Sequence, residues 1–511
     1  MILKQLIQSL ESEKISTWFD LGLFTDRLRD RTTNLPIKLK GDFKDFKKQI
    51  SKGVAFISFY YSIDGVTIEA AKYTKVFKSI LDKPKIHYIA GEFFPMSNMF
   101  IHPDTKKFQL NEINGFDKWN LFDDFFHKKF SRGSTVYNEL IKEFWNETIT
   151  ICKKLGNYID TNNIQLLYLL NVNSNPGNVS LALACVILSE YLKIPVICNN
   201  HDFYWEGGNK EMDIKKQKLK PGPRDFFFTN SDIGEFFSII NVIFPWESRS
   251  WMSVNINKTQ SKSLITNLGH NPANVTEIGT AIDLDEFKNK TERRKIETFY
   301  QMSKILGQYK KKLHVTPIDQ LLNNTFDKTP KPFITGYKDS KINFIENNII
   351  FLQPTRIIER KKIEVNFNLI TKLFHHPEFV QFFKNNNKLT LTLLVLGPIS
   401  GGHTSYFKKL LSEFSELFKT IPSKLRDRIF LAFTFSESQK PHYKHKFTDP
   451  IHISDIYNIV NLICLPSTVE SRGLPIIESA ASRCPIFTRR YHPTQVYAEV
   501  IGEHLSSEDR L

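Results

Sequence analysis

The sequence predicts an α/β fold made of two Rossmann-like domains, and three observations lead to it. The chain has 511 residues, which is more than one hydrophobic core usually supports. Short apolar runs alternate with helical patterns, first from Val54 to Cys198 and again from Ile349 to Leu465. Between these regions, Lys288 to Asn348 has a basic, Pro- and Asn-rich character. Alternating strands and helices indicate parallel sheets that are covered by helices on both faces.

Each alternating region contains four apolar runs that are typical of buried strands. In the first region they are Val54 to Tyr61, Lys85 to Ala90, Ile164 to Leu170 and Ile194 to Cys198. In the second they are Ile349 to Gln353, Leu389 to Leu396, Ile429 to Thr434 and Leu462 to Leu465. Val179 to Leu192 is predicted as an amphipathic helix. We place an N-terminal domain at 1–290, an interdomain insertion or linker at 291–347 and a C-terminal domain at 348–511.

The formal net charge is +15. A basic surface attracts phosphate groups, but a lysine-rich solvated surface explains the same number. No long basic block is interleaved with aromatic residues, so no nucleic-acid partner is predicted.

The five cysteines lack Cys-x-x-Cys spacing and mostly lie in apolar runs, which indicates reduced, buried thiols. No apolar run approaches the about 20 residues that a membrane helix needs. The start, Met1 to Lys14, has the pattern of an amphipathic helix and not of a signal peptide. The predicted location is the cytoplasm, and a peripheral membrane contact stays open.

The segment after the strand ending at Leu465 carries the most chemistry. A loop contains Glu470 and Gly473, and a helix then opens at Leu474 with Pro475 in its first turn. A helix start beyond a parallel strand is where α/β sheets bind ligands, and its N–H groups favour phosphate. Glu478, about one turn into the helix, can accept two hydrogen bonds from a ribose diol. If the two carboxylates are considered alone, the alternative is an ordinary strand–loop–helix with two surface glutamates.

The whole string from Pro466 to Ala480 resembles the Glu-x7-Glu signature of the family-4 retaining glycosyltransferases, which have the GT-B fold. The resemblance extends over about Gly53 to Pro485. It implies two facing domains, a nucleotide-sugar donor on the second domain and an acceptor on the first. It also implies that Glu470 meets sugar hydroxyls, while Gly473, Leu474 and Glu478 bind the donor.

A second match to this family is Pro354 to Lys362. In the family, an Arg and a Lys five residues later close on the donor diphosphate, and Arg356 and Lys361 have that spacing. Such cations can neutralise a leaving diphosphate without a metal. A basic helix start at the surface is the alternative for this stretch alone.

A third match, Val275 to Phe287, is similar to the segment that ends the family's first domain. It contains Asp283 and Asp285, an Asp-x-Asp pattern that binds metal in other glycosyltransferase folds. Because the pattern falls here in the interdomain loop, no metal site and no cofactor are predicted.

Two further candidates lie in the first domain. His201 follows the strand ending at Cys198, where family members often carry a His that faces the donor sugar; a structural His held by Asp202 is the alternative. Tyr204 and Trp205 can stack on an acceptor sugar or simply pack. Gly65, after the first strand, matches the loop whose backbone approaches the donor phosphate or the acceptor.

The resemblance thus implies a metal-independent retaining hexosyltransferase, and it leaves open whether the acceptor is a saccharide, a lipid or a small molecule. The catalytic candidates are His201, Arg356, Lys361 and Glu470. The alternatives are a GT-B-fold sugar-nucleotide epimerase and a non-catalytic nucleotide-binding relic.

The sequence departs from the family at Ser471-Arg472, at Lys362 and at Arg483; the last two stand where Gly is usual. Only 26 residues follow Pro485, whereas the family usually continues with further α/β units. We therefore expect a second domain shortened at its C-terminus, completed by a missing segment or by another chain.

Overall fold

The computed structural model of the chain describes residues 2–33, 42–62, 64–126, 128, 130–206, 234–307, 313–324, 326, 330–399, 403–435 and 451–511. The chain divides into two compact units, Met1–Gly279 (unit 1) and Thr280–Leu511 (unit 2). Each unit is built around one large, mostly parallel sheet. The prediction of an α/β chain with two Rossmann-like sheets is therefore confirmed.

Unit 1 contains nine helices and nine strands in its described residues. The helices are α1 (Ile2–Ser12), α2 (Trp18–Thr33), α3 (Phe43–Ile50), α4 (Gly65–Ile80), α5 (Phe122–Phe126), α6 (Thr135–Thr161), α7 (Val179–Leu192), α8 (Gly234–Ile243) and α9 (Lys258–Asn267). The strands are β1 (Val54–Ile57), β2 (Tyr60–Tyr61), β3 (Ile86–Ala90), β4 (Glu92–Phe93), β5 (Lys106–Gln109), β6 (Leu166–Leu170), β7 (Val196–Asn200), β8 (Trp251–Asn255) and β9 (Val275–Glu277).

The seven-stranded sheet of unit 1 has the order β5-β3-β1-β6-β7-β8-β9, and every neighbouring pair is parallel. Strand order reverses between β1 and β6, so this point is the topological switch point of the sheet. The four predicted strands correspond to β1, β3, β6 and β7, in which nearly every residue is buried. Continuous burial of that kind explains why they appear in the sequence as apolar runs rather than alternating patterns. The predicted run Val54 to Tyr61 is divided in the structure, because its last two residues form β2, which pairs with β4 in a separate two-stranded sheet.

Helix α7 corrects one expectation. The sequence predicted an amphipathic helix here, but Val179 to Ser189 are all buried. The helix packs against α6 and makes smaller contacts with α1, α2 and α8, so it has no solvent face. A helix that is apolar all round is a core helix.

Helix α1 has the amphipathic pattern that the sequence predicted. Its apolar residues Leu3, Leu6, Ile7 and Leu10 are buried, and the helix packs mainly against α6. This apolar face is occupied inside unit 1. No helix in the described part of the chain has the length and apolarity that crossing a bilayer requires.

Unit 2 contains nine helices and eight strands in its described residues. The helices are α10 (Leu284–Phe287), α11 (Glu292–Ile305), α12 (Ile318–Leu322), α13 (Val365–Leu373), α14 (Pro377–Asn385), α15 (Thr404–Thr420), α16 (Ile453–Tyr457), α17 (Leu474–Ser482) and α18 (Thr494–Ile501). The strands are β10 (Leu313–Pro317), β11 (Phe333–Gly336), β12 (Ser340–Ile342), β13 (Asn348–Gln353), β14 (Thr390–Val395), β15 (Ile429–Phe433), β16 (Leu462–Leu465) and β17 (Ile486–Thr488).

The sheet of unit 2 has the order β12-β10-β11-β15-β14-β13-β16-β17. The five successive strands β15, β14, β13, β16 and β17 are all parallel, while β11 pairs antiparallel with β15. The switch point lies between β13 and β16. Strands β10, β11 and β12 come from the segment 291–347 that the sequence assigned to an insertion or linker, and they extend this sheet at one edge. Their short, irregular pattern hid them in the sequence.

Candidate functional site

Four of the predicted site residues of unit 2 lie in two loops at the switch point of its sheet. One loop follows β13 and carries Arg356 and Lys361; the other follows β16 and carries Glu470 and Gly473. Strands β13 and β16 are parallel neighbours, so both loops leave the same edge of the sheet. This is the position at which open α/β sheets bind ligands.

The loop after β13 is held against the loop after β14. The N–H of Ile357 donates to the carbonyl of Pro398 at 2.8 Å, and the N–H of Gly397 donates to the carbonyl of Thr355 at 3.2 Å. A Cβ on Gly397 would lie 2.4 Å from that carbonyl oxygen, so only glycine fits there. Arg356, between these anchors, is exposed. The backbone that carries Arg356 is thus fixed while its side chain reaches the surface.

Lys361 and Glu470 form a buried ion pair, with side-chain exposures of 11% and 9%. The neighbouring Arg360 ties the two loops together. Its Nη1 donates to the carbonyl of Val469 at 2.7 Å and lies 3.9 Å from Oε2 of Glu470. The N–H of Thr468 returns a hydrogen bond of 2.8 Å to the Arg360 carbonyl. The structure therefore brings together two residues that the sequence named separately.

Burial and charge act in opposite directions on this pair. Burial raises the pKa of Glu470, but the charges of Lys361 and Arg360 outweigh it and lower the pKa below its usual value. Burial also lowers the pKa of Lys361, and Arg360 and Arg356 add to that effect, while Glu470 opposes it. Two cations, Lys361 and Arg360, act on one buried carboxylate, and Arg356 adds positive charge near Lys361, so this corner of the site favours an additional anion.

Helix α17 begins beside this pair. Gly473 precedes the helix with φ of +81°, and no side chain caps the helix start. A Cβ on Gly473 would lie 2.3 Å from Oη of Tyr491, whose hydroxyl donates to the carbonyl of Arg472 at 2.8 Å. Both the backbone conformation and the close ring therefore require glycine. An uncapped helix start favours a phosphate group.

Leu474 and Glu478 lie on α17 and are partly exposed. Oε2 of Glu478 accepts a hydrogen bond of 2.6 Å from the hydroxyl of Tyr457 on α16. The sequence assigned no role to Tyr457, Tyr491 or Arg360. Arg360 lies inside the matched segment Pro354 to Lys362, whereas Tyr491 lies beyond the region of resemblance, which ends at about Pro485.

The two departures from the family pattern at Gly positions have a common conformation. Lys362 has φ of +47° and Arg483 has φ of +54°, both in the left-handed region. Glycine adopts this region without cost, whereas other residues lose about 1–2 kcal/mol. Both residues thus occupy a backbone conformation that glycine adopts more readily.

His201 lies in unit 1, directly after β7 as predicted. The backbone N–H of His201 donates to Oδ1 of Asn171 at 2.7 Å, and its backbone carbonyl accepts from Nε2 of Gln260 at 3.1 Å. Nε2 of its ring is buried and has no hydrogen-bond partner among the described residues. Burial lowers the pKa of His201, although the charges of Glu69 and Asp202 oppose this. A neutral imidazole with one unused nitrogen can hydrogen-bond a ligand.

Gly65 is the first residue of α4, and the side chain of Asp64 caps that helix. A Cβ on Gly65 would meet no atom within 4 Å, so the fold itself does not require glycine there. Its approach to a ligand stays a prediction.

Tyr204 and Trp205 show packing interactions. The ring of Trp205 stacks on Phe203 with centroids 4.2 Å apart. Tyr204 is buried and hydrogen-bonds Asn241, and burial raises its pKa to about 12. These contacts favour the packing alternative for Tyr204.

The Asp-x-Asp pattern has a local structural role. Oδ1 of Asp283 accepts from the N–H of Asp285 at 3.1 Å at the start of α10, and Asp285 pairs with Lys288 at 2.5 Å. Among the residues that the structure describes, no group of three His, Cys, Asp or Glu side chains is placed to hold a metal ion. All five cysteines are buried and unpaired by disulfides, as predicted.

No protein-family model matches the chain. The mannosylglucosylglycerate synthase of Petrotoga mobilis is 21% identical over 441 residues, which cover 84% of this chain and 80% of that protein. Two solved structures show distant likeness. Anabaena HepE in complex with UDP and glucose has a TM-score of 0.47 and 10% identity, covering 89% of this chain and 90% of that one. A glycosyltransferase from Rickettsia africae has a TM-score of 0.46 and 12% identity, covering 90% and 89%.

Proposed function

We propose that this chain is a retaining, metal-independent glycosyltransferase that moves a hexose from a nucleotide sugar to an acceptor. The observation that carries the proposal is the buried Lys361–Glu470 pair beside the glycine-started helix α17, at the switch point of the second sheet. Similarity to mannosylglucosylglycerate synthase along most of both chains supports the glycosyltransferase class.

The donor would lie on unit 2. Glu478 would accept hydrogen bonds from the ribose hydroxyls, and the start of α17 would receive the diphosphate. Arg356 is exposed on a fixed backbone and can fold onto the phosphates as a fork of donors. Glu470 would face the sugar hydroxyls while Lys361 and Arg360 keep it ionised.

The chemistry would centre on the leaving diphosphate. The acceptor oxygen forms its bond to the anomeric carbon on the face from which the nucleoside diphosphate departs. The proton of that hydroxyl passes to a phosphate oxygen, and the bond between carbon and diphosphate breaks. Arg356, Lys361 and the N–H groups of α17 stabilise the charge that builds on the leaving group, and a metal is not needed for this.

The acceptor would bind to unit 1 near His201. The neutral imidazole with its unused Nε2 suits a hydroxyl group of the acceptor or of the donor sugar. The name of the Petrotoga relative combines two sugars with glycerate, so small hydroxylated acids such as glucosylglycerate are the first acceptors to try.

The test is a binding and transfer experiment with the full chain. UDP, GDP and ADP, and their glucose and mannose conjugates, are screened by thermal shift, in which a ligand at 100 times its Kd adds about 2.7 kcal/mol to stability. Transfer is then measured with and without EDTA. Glu478→Gln should weaken nucleotide binding about tenfold or more, since it removes a charged hydrogen-bond acceptor.

The outcomes separate the candidate functions. Transfer that persists in EDTA supports the proposal, while activity that needs Mn²⁺ or Mg²⁺ contradicts metal independence. Turnover of the donor without any acceptor indicates an epimerase. Nucleotide binding with neither transfer nor hydrolysis indicates a relic, and absence of nucleotide binding rejects the proposal.

A further inference from the structure

We infer that Tyr457 is a positioning residue that fixes the carboxylate of Glu478 for the ribose of the bound nucleotide, with Phe287 holding the tyrosine ring in place. This inference rests on the proposed function and names a residue through which the same site acts. It also gives a physical role to the phenylalanine that ends the third motif.

The hydrogen bond between the two side chains is short and lies within unit 2. The hydroxyl of Tyr457 donates to Oε2 of Glu478 at 2.6 Å. Tyr457 has only 1% of its surface exposed, whereas Glu478 is partly exposed. The bond therefore has a buried donor and an acceptor that reaches the surface. A charged acceptor makes such a bond stronger than one between neutral groups.

The ring of Tyr457 is held from the other side. Phe287 is 4% exposed, and its ring meets that of Tyr457 edge to face, with centroids 5.6 Å apart and planes at 85°. The segment after Phe287 is tied to the end of α16, because the N–H of Lys290 donates to Oδ1 of Asn458 at 3.1 Å. Packing and hydrogen bonding thus fix the direction in which the hydroxyl points.

A fixed donor restricts the carboxylate to one orientation. Glu478 has three rotatable side-chain bonds, and ordering such a chain on binding costs free energy. When one oxygen already accepts from Tyr457, the carboxylate is held before the ligand arrives. Burial and the charge of Glu478 raise the pKa of Tyr457 well above its usual value, so the hydroxyl stays a donor across the working pH range. A carboxylate held in this way favours binding of a ligand with two adjacent hydroxyls, such as a ribose.

The test variant is Tyr457→Phe, which removes one oxygen and keeps the ring. Isothermal titration measures the Kd of UDP, GDP and ADP, and then of the 2′,3′-dideoxy analogue of whichever binds best. The variant should bind the nucleotide about threefold to tenfold more weakly, the factor expected for one hydrogen bond. It should bind the dideoxy analogue as wild type does. Tyr88→Phe is the matched control in unit 1, where the lost hydroxyl bonds Thr74 at 2.8 Å.

A second variant, Phe287→Leu, leaves the hydroxyl but loosens the ring. It should also weaken binding of the nucleotide more than binding of the dideoxy analogue. This keeps the inference testable if Tyr457→Phe folds poorly. Unchanged nucleotide affinity in both variants overturns the inference and leaves the proposed function standing. If affinity for the nucleotide and for its dideoxy analogue falls equally, the inference is also overturned, since Tyr457 would then only stabilise the unit. If the wild type binds no nucleotide, both the function and the inference fail.

Discussion

Removal of one partner of the Lys361–Glu470 pair should take a large share of the stability of unit 2. The tested variants are Glu470→Gln, Lys361→Met and the double variant. Both side chains are about nine-tenths buried, so each single variant leaves one charge buried without its partner. Such a loss costs about 3–5 kcal/mol of unfolding free energy, whereas replacing both partners with uncharged residues is often close to neutral. We therefore expect the double variant to be more stable than either single variant.

Two neighbours modify these magnitudes. Arg360 lies 3.9 Å from Oε2 of Glu470, so Lys361→Met keeps a partial partner and should be the milder single variant. In Glu470→Gln, the carboxylate that raises the pKa of Lys361 is gone, so burial lowers this pKa with less opposition than in the wild type. The stability of Glu470→Gln should rise with pH between that lowered pKa and the unfolded one, because the unfolded state binds more protons there.

The wild type should lose stability at acid pH. The folded-state pKa of Glu470 is lowered, so its contribution is present above the unfolded pKa of a glutamate. The contribution is lost as the pH falls through the folded pKa, since the proton then binds the unfolded state first. Urea unfolding curves at pH values from 7 down to 3 measure this loss.

Two spectroscopic signals separate the units in this assay. All six tryptophans lie in unit 1, so tryptophan fluorescence follows unit 1 and far-UV circular dichroism follows both units. The variants should shift the dichroism curve more than the fluorescence curve. Glu416→Gln removes the partner of Lys419 in a pair whose side chains are 73% and 60% exposed and should change little. Single variants that match this control would refute the reasoning.

Two other substitutions test the site directly. Gly473→Ala should destabilise unit 2 by about 1–2 kcal/mol for the left-handed backbone alone, with an added clash against Tyr491, and should weaken nucleotide binding. Adding Tyr491→Phe should recover part of the loss, and an unchanged dichroism melt of Gly473→Ala would contradict the packing argument. His201→Ala should leave nucleotide binding in place but lower transfer by roughly two orders of magnitude, as expected for a lost transition-state contact. Near-normal transfer would return His201 to a structural role.

The order and type of most central elements were predictable from the sequence. Strands β1, β3, β6 and β7, and later β13 to β16, appear as mainly apolar runs because burial on both faces leaves few polar positions in them. Strands β10 to β12 did not appear in this way. They are short and partly exposed at one edge of the sheet, so their sequence resembles that of a linker.

The candidate site followed the same division. Gly473 and Pro475 mark a helix start through local backbone preferences, and these are visible in a sequence. The partners of the site residues are not local. Lys361 and Glu470 are 109 residues apart, and Tyr457 and Glu478 are 21 apart in different helices.

The sequence by itself determined most of the central strands of each sheet, where the loops that end them fall and which chemical groups those loops carry. These properties depend on the pattern of apolar residues and on the conformational limits of Gly and Pro. Only the tertiary structure decided that Lys361 meets Glu470, that Tyr457 holds Glu478 and that Phe287 holds Tyr457. Such contacts arise when parallel strands bring distant loops to one edge of a sheet, and they depend on packing that no single segment contains.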